Sequence, residues 1–474
     1  MPMRIPRLSL LALLFAPLLT ACVTVGPDYE RPESPTPDAW SVPLARGLAE
    51  GTADLQTWWT VFEDPLLVSL VDRAVAGNLD LAEAVGRVRE ARAALGFARG
   101  EWYPDLDTVG DYTRVRTSDE LSTFIPSPQD RSDEIYSSGF ETSWELDLFG
   151  RIRRSVESST ASLDATVEDY RDVLVVLLAD VSSTYVDVRS FQSRLRFARE
   201  NVEAQRGSLK LTMDRNAAGL VGKLDVRQAE LNLATTEAFI PQLEQALAAA
   251  IHRLGVLVGQ PPGTLYAELR ETQAIPAPPA EVAVSLPHEL LRQRPDVRRA
   301  ERALASQTAR IGVAQAELYP RLSLAGSFTV DATDVGSWFS GGSLAYGFGP
   351  ALRWNLFDGG RVRSNIRAEE ARTEQALSRY ENSVLFALQE TQDALVAFVQ
   401  ESVRSEALAR SATAAAESVK LVNELYRIGL TDFQNVLDSE RSLFAQQDAL
   451  AESEGLVSRN LITIYRSLGG GWTP

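Results

Sequence analysis

The sequence has few of the residues that carry covalent or metal chemistry. Its 474 residues include one cysteine, Cys22, so no disulfide can form within the chain. Two histidines, His252 and His288, and no cysteine cluster leave no recognisable zinc spacing. Methionine occurs only at Met1, Met3 and Met213, which gives a thioether copper relay little to work with. Basic residues are outnumbered, 47 against 64 acidic ones. The net charge of −17 disfavours nucleic acid, because phosphate binding needs a basic face. No nucleophile–base pair or glycine-rich phosphate loop stands out, so an enzyme has little support and no cofactor is expected. An apolar share of 45% argues against wholesale disorder.

What is present begins with an export signal. Arg4 and Arg7 precede the apolar run Leu8 to Leu19. That run is short for a membrane span, and its basic flank suits a signal peptide over residues 1–21. The alternative is a buried N-terminal helix. The run ends in Leu19-Thr20-Ala21-Cys22, which is similar to a bacterial lipobox, where lipid is attached to the cysteine sulfur before cleavage. The mature chain would then start at a lipidated Cys22, which also accounts for a lone cysteine. Acyl chains such as palmitate anchor by burying methylenes, at about 0.8 kcal/mol each.

The rest of the chain is written twice. Trp144-Glu145-Leu146-Asp147-Leu148-Phe149-Gly150-Arg151-Ile152-Arg153 returns as Trp354-Asn355-Leu356-Phe357-Asp358-Gly359-Gly360-Arg361-Val362-Arg363, an offset of 354 − 144 = 210. Upstream, Tyr103-Pro104 returns as Tyr319-Pro320, an offset of 319 − 103 = 216. Downstream, Gly219 and Gly429 are again 210 apart. The pattern predicts an extended, proline-rich segment over 22–65, pinned at its end by Trp58-Trp59. A first repeat follows over 66–259, with a helix, strands at about 105–117 and 135–149, and a long helical hairpin over 152–259. A proline-rich linker covers 260–287. The second repeat, 288–474, has a helix, strands at about 321–331 and 343–357, and a hairpin over 361–469.

Each strand alternates between two faces. From Tyr136, one face reads Tyr136, Ser138, Phe140, Thr142, Trp144, Leu146, and the other Ser137, Gly139, Glu141, Ser143, Glu145, Asp147. The strands from Arg321 and Ser343 repeat this, with Leu322, Leu324, Phe328, Tyr346, Phe348 and Trp354 opposed to Ser323, Ser327, Arg353 and Asn355. Such alternation suits a lipid-facing barrel wall around a wet lumen; a half-buried sandwich strand has the same period. The export signal favours the barrel. Trp144 and Trp354 then belong in the interfacial aromatic belt. Asp105, Asp107, Glu141, Glu145 and Asp147 would line the lumen, a weak preference for cations or neutral solutes. Four strands cannot close a barrel, since single-chain barrels begin at about eight. Open sheet edges cannot face lipid, so several chains must each contribute a sheet.

The helical stretches are long. Ile152 to Arg215 and Val362 to Arg427 contain no proline and place apolar residues at spacings of three and four. Roughly 65 residues at ~1.5 Å each make a rod of about 100 Å. An isolated coiled coil or a soluble helical domain shares this periodicity. Glycine turns at Gly219 and Gly429 end both rods and suit the positive φ of a helix C-terminus. Pro241 should kink the first return helix. The junction glycines Gly150 and Gly360 are expected to bend differently, because the second junction carries an additional Gly359.

The ordered set of lipobox, helix, two strands, long hairpin and linker, then the same again, resembles the outer membrane factor family. These are the TolC-like export ducts, and the match is to the lipoprotein branch typified by OprM. The stretches that carry it are Cys22 to Tyr29, Leu290-Leu291-Arg292-Gln293-Arg294-Pro295-Asp296-Val297, Trp354 to Gly360, and Tyr426 to Leu443. The resemblance spans essentially the whole mature chain. It implies an α+β membrane protein: a homotrimer with four strands per chain in an outer-membrane β-barrel, continued by a long periplasmic α-helical barrel. It implies an efflux channel in the bacterial outer membrane, lipid-anchored and extending into the periplasm. Such a duct passes small molecules such as drugs from an inner-membrane pump, of the resistance–nodulation–division class, and a periplasmic adaptor protein. It is not an enzyme.

The resemblance also assigns residues. The periplasmic gate falls on Asp432, Phe433, Gln434, Asp438 and Arg441, and adaptor contacts fall on the hairpin tips at Gly219, Leu220, Gly429 and Leu430. Asp438 and Arg441 are three apart on a helix and could pair between chains near a three-fold axis; an acid and a base at that spacing are also an ordinary solvated pair. Gln434 departs from the apolar residue expected at the constriction. Gln228 stands in the first hairpin where Asp438 stands in the second, so the two are not equivalent gates. A rival from another class, a lipid-anchored coiled-coil spacer, explains the lipobox and the rods but not the duplicated aromatic strands.

Overall fold

The computed structural model describes residues 24–33, 37–51, 55–116, 132–288 and 293–472. The expected lipid site Cys22 and the stretch Leu290-Leu291-Arg292 lie outside the described residues. In chain order the elements are β1 (Leu48–Glu50), a 3-10 turn (Trp58–Phe62), α1 (Pro65–Gly77), α2 (Leu79–Gly100), β2 (Asp105–Arg116) and β3 (Ser132–Leu146). Then come α3 (Arg151–Ala217), α4 (Lys223–Leu257), β4 (Val282–Val284), α5 (Pro295–Ala316), β5 (Arg321–Ala332), β6 (Leu344–Arg353), α6 (Arg361–Ile428) and α7 (Phe433–Ser467). Two compact units form, and each takes segments from both sequence repeats.

The first unit gathers 1–32, 88–166 and 300–380. Its centre is an antiparallel sheet of four strands in the order β2-β3-β5-β6, so β2 and β6 are open edges. One row across the sheet reads Thr108, Phe140, Phe328, Tyr346; the neighbouring row, facing the other way, reads Asp107, Glu141, Ser327, Gly347. Beyond Trp338, which packs on Tyr136 at one end, no described residue covers the aromatic face: Phe140, Phe328, Tyr346, Phe348 and Leu352 are all exposed. β6 stops at Arg353 because β5, its partner among the described residues, begins opposite, at Arg321. Trp354 to Phe357, which alternate like a strand, therefore leave the ladder. In the same unit, the buried Arg154 clasps the N-terminal segment. Its guanidinium donates to the carbonyls of Val25 (3.1 Å) and Gly26 (3.0 Å) and to the Asp28 carboxylate (2.8 Å).

The two strand-to-helix junctions refine one expectation and correct another. Gly150 and Gly360 share a φ, +83° and +86°, so the difference between the junctions lies one residue earlier, where Gly359 is also left-handed at +68° and Phe149 is not. Both feed a helix whose first N–H groups need an acceptor, and each junction supplies one carboxylate. Asp147 accepts from the N–H groups of Ile152 (3.1 Å) and Arg153 (2.9 Å); Asp358 accepts from Gly360 (2.8 Å) and Val362 (2.7 Å). Asp147 thus belongs to the helix start and not to the strand face, which ends at Leu146. Glu145 is also engaged, accepting from Arg151 at 2.8 Å.

The second unit gathers 33–87, 167–299 and 381–474. Asp64 caps α1, accepting from Leu66 N at 2.9 Å and Leu67 N at 3.2 Å, with Pro65 at the first helical position. Its other oxygen accepts from the Tyr185 hydroxyl at 2.5 Å, tying the cap to α3. Trp58 is fully buried and stacks on Tyr465 at 5.3 Å. β1 pairs in parallel with β4, joining the N-terminal segment to the linker. α4 runs unbroken through Pro241.

Candidate functional site

The far ends of the two hairpins close with the same turn. In the second, the Leu430 N–H donates to Leu425 O at 2.9 Å and the Gly429 N–H to Tyr426 O at 3.1 Å. In the first, Leu220 donates to Arg215 O at 2.9 Å and Gly219 to Asn216 O at 3.0 Å. Gly219 and Gly429 sit at φ +74° and +80°, the left-handed position that ends a helix and satisfies its last carbonyls. Leu220 and Leu430 project from these turns, 67% and 72% exposed.

Beneath the second turn lies a small core of Tyr426, Phe433, Val436 and Leu437 with Ala229 of α4. Phe433 is 3% exposed, its ring 5.4 Å from that of Tyr426. Of the five expected gate residues, Phe433 is therefore packed inside its own chain. Asp432, Gln434, Asp438 and Arg441 lie on the exposed side of α7 and its N-terminus. Asp432 occupies the N-cap position without a side-chain cap bond. Asp438 and Arg441 are each turned to another partner. Gln434 Nε2 donates to Asp438 Oδ1 at 3.0 Å, and Arg441 Nε donates to Asn232 Oδ1 at 3.1 Å.

Asn232 leads to a residue that pattern reading passed over. Its Nδ2 donates at 3.1 Å to Glu440, whose other oxygen accepts from Ser208 Oγ at 2.5 Å. Glu440 is 3% exposed, and burial pushes its carboxyl above the usual glutamate range, opposed by the Ser208 and Asn232 hydrogen bonds. The signal was available: Glu440 continues the stripe Phe433, Val436, Leu437, so a carboxylate falls on the apolar face. Arg215 of the first hairpin completes the cluster. Its guanidinium lies 4.6 Å over the Tyr426 ring and donates to the Tyr426 carbonyl.

The two tryptophans at the sheet ends are held alike. Trp144 Nε1 donates to Trp102 O at 2.9 Å, and Trp354 Nε1 to Leu318 O at 3.0 Å, with both rings more than a third exposed.

Comparison with known proteins agrees with this architecture. The profile of the outer membrane efflux protein family matches twice, over residues 70–260 and 286–470. Nodulation protein T of Rhizobium leguminosarum bv. trifolii is 32% identical over 460 residues, 97% of each chain. Outer membrane protein OprJ of Pseudomonas aeruginosa is 32% identical over 483 residues, covering 99% of this chain and 97% of that one. The solved outer-membrane channel OprN superposes with a TM-score of 0.87 at 36% identity, over 95% of this chain and all of that one. Sheet, hairpins and full-length similarity together place this chain in the outer membrane efflux protein family, as a channel component of the outer membrane.

Proposed function

We propose that three copies of this chain close their sheets into one outer-membrane barrel and their hairpins into a periplasmic helical duct. The duct forms the exit of a tripartite export assembly for small molecules such as drugs. The observation that carries this is the sheet itself: four strands, two open edges and one uncovered aromatic face. A bilayer covers that face, and only neighbouring copies can satisfy those edges within lipid. Cys22 carries the lipid anchor, and Trp144 and Trp354 mark the periplasmic interface of the bilayer. A periplasmic adaptor meets the tips at Gly219, Leu220, Gly429 and Leu430, where both leucines stand clear of the chain's own packing. The adaptor couples the duct to an inner-membrane pump of the resistance–nodulation–division class. The relatives' names include a solvent efflux pump, a cation efflux system and a pyoverdine exporter, so a channel of this family is not tied to one cargo.

The gate lies at the second tip. Asp432, Gln434, Asp438 and Arg441 supply its exposed surface, and Phe433 and Glu440 fix the helix that presents them. Planar-bilayer recordings of the purified protein test the whole reading. Discrete channels are expected, with higher resting conductance in Asp438→Ala/Arg441→Ala. A protein that never conducts removes the duct; a double variant that conducts like the parent removes the gate assignment alone. Mass spectrometry of the N-terminus checks the lipid separately: an unmodified Cys22 rejects the anchor.

A further inference from the structure

We infer that the open edges β6 and β2 join between copies through a charged seam, with Arg353 of one copy seated between Asp107 and Asp111 of the next. This rests on the multi-copy barrel proposed above. The repeats supply the register. Going from the first repeat to the second, β2 maps onto β5 with the offset 216 and β3 onto β6 with the offset 210. The sheet obeys this mapping: Asp105 pairs with Ser143, and their images Arg321 and Arg353 pair with each other. The tryptophan bonds obey it too, since Trp144 to Trp102 maps onto Trp354 to Leu318.

Within the chain, β3 and β5 form the seam between the repeats. There Glu145 faces Ser323, Ser143 faces Ala325 and Glu141 faces Ser327. The same mapping carries this seam to β6 against β2 of the next copy. Asn355 then faces Asp107, Arg353 faces Val109, and Ala351 faces Asp111. All lie on the polar face. Diagonal neighbours across an antiparallel pair are about 7–8 Å apart, within reach of an arginine.

The charges are vacant for this use. Among the described residues, Arg353 and Asp107 have no hydrogen-bonding or ionic partner in their own chain, and both are exposed. Among the described residues, Asp111 accepts only from the nearby Thr113 hydroxyl. Arg321, one strand in, already pairs with Glu317 at 3.6 Å. The internal seam carries no such set: the images of Asp107 and Asp111 are Ser323 and Ser327, and Arg353 is the image of Ser143. A seam held by covalent connection needs no recognition; one formed between separate chains does. The arrangement also opposes wrong pairings, since β2 against β2 would bring aspartates together.

The full-length protein in detergent, read by native mass spectrometry under graded denaturant, tests this. Arg353→Glu is expected to raise the monomer fraction about tenfold or more, and Asp107→Arg/Asp111→Arg likewise. Combining all three substitutions should restore assembly, which misfolding of either variant would not. Independently, Val109→Cys/Arg353→Cys should cross-link between chains with a short bismaleimide, and Val115→Cys/Arg353→Cys should not. Reversals without effect, no rescue, or cross-linking through Val115 instead of Val109 each overturn the seam while leaving an intact assembly. A parent protein that is monomeric throughout instead overturns the multi-copy reading itself.

Discussion

The two hairpin tips begin as one turn and end as different structures. Both close on a left-handed glycine with matching backbone bonds. Around that shared backbone the side chains diverge. Tyr426 and Phe433 build a core in the second tip; the first has Asn216 and Lys223 at the corresponding positions. Asn216 uses its amide to hold Val221 O at 2.7 Å, so the first tip is stitched by polar bonds. The acids differ as well. Glu440 is buried between Ser208 and Asn232, whereas its counterpart Glu230 pairs with Arg227 at 2.7 Å near the surface. A duplicated turn fixes where the chain reverses; it does not fix which reversal is rigid. The second tip is dry and anchored, and it is the one that presents the proposed gate.

The comparison breaks most visibly at the aromatics. Tyr426→Ala or Phe433→Ala should cost about 3–5 kcal/mol by emptying a packed site, while Lys223→Ala should stay within about 0.5 kcal/mol. Thermal unfolding of the variants reads this out. Equal losses for Phe433→Ala and Lys223→Ala would mean that the second tip has no special core.

The acids sharpen it next. Glu440→Ala strands the Asn232 amide and the Ser208 hydroxyl and should cost about 1–3 kcal/mol, against about 0.5 kcal/mol at most for Glu230→Ala. Glu440 also predicts a pH effect. Its folded-state pKa is raised by burial, so the fold binds that proton more tightly than the unfolded chain does. The contribution is complete below the unfolded pKa and is lost as pH rises through the folded value. Exchange protection at the second tip should therefore rise as pH falls from neutral toward about 4.3, the ordinary glutamate value. Glu440→Gln should flatten that rise, and a parallel pH profile in the variant would locate the effect elsewhere.

What was legible in the sequence followed periodicity and repetition. The offset of 210 returned as α3 starting at Arg151 and α6 at Arg361, and strand alternation returned as one aromatic and one polar face. These features are local, so a pattern shows them. What was hidden depended on partners far along the chain. The β1–β4 ribbon joins residues more than two hundred apart through two short segments with no distinctive period. Asp147 looks like a strand-face carboxylate until the helix start it caps is known. Phe433 reads as a gate residue by resemblance, but whether it faces a pore or the interior of its own chain depends on Tyr426 and on Ala229 of the other hairpin. Glu440 was visible as an acid on an apolar stripe, yet nothing in its own segment named Ser208 and Asn232 as its donors.

The smallest effect probes what the tips share. Gly219→Ala and Gly429→Ala should each cost about 1 kcal/mol, the price of a Cβ in a left-handed conformation. Space is not at issue: an added Cβ meets nothing within 4 Å at Gly219, and at Gly429 only the tip of Arg215 at 3.6 Å. Backbone strain is then the whole cost, and it should be equal at both sites whatever the side chains around them do. Thermal unfolding of the two variants measures it. A distinctly larger loss at Gly429 would show that the dry core and the turn are coupled, so that the reversal and the rigidity are a single device.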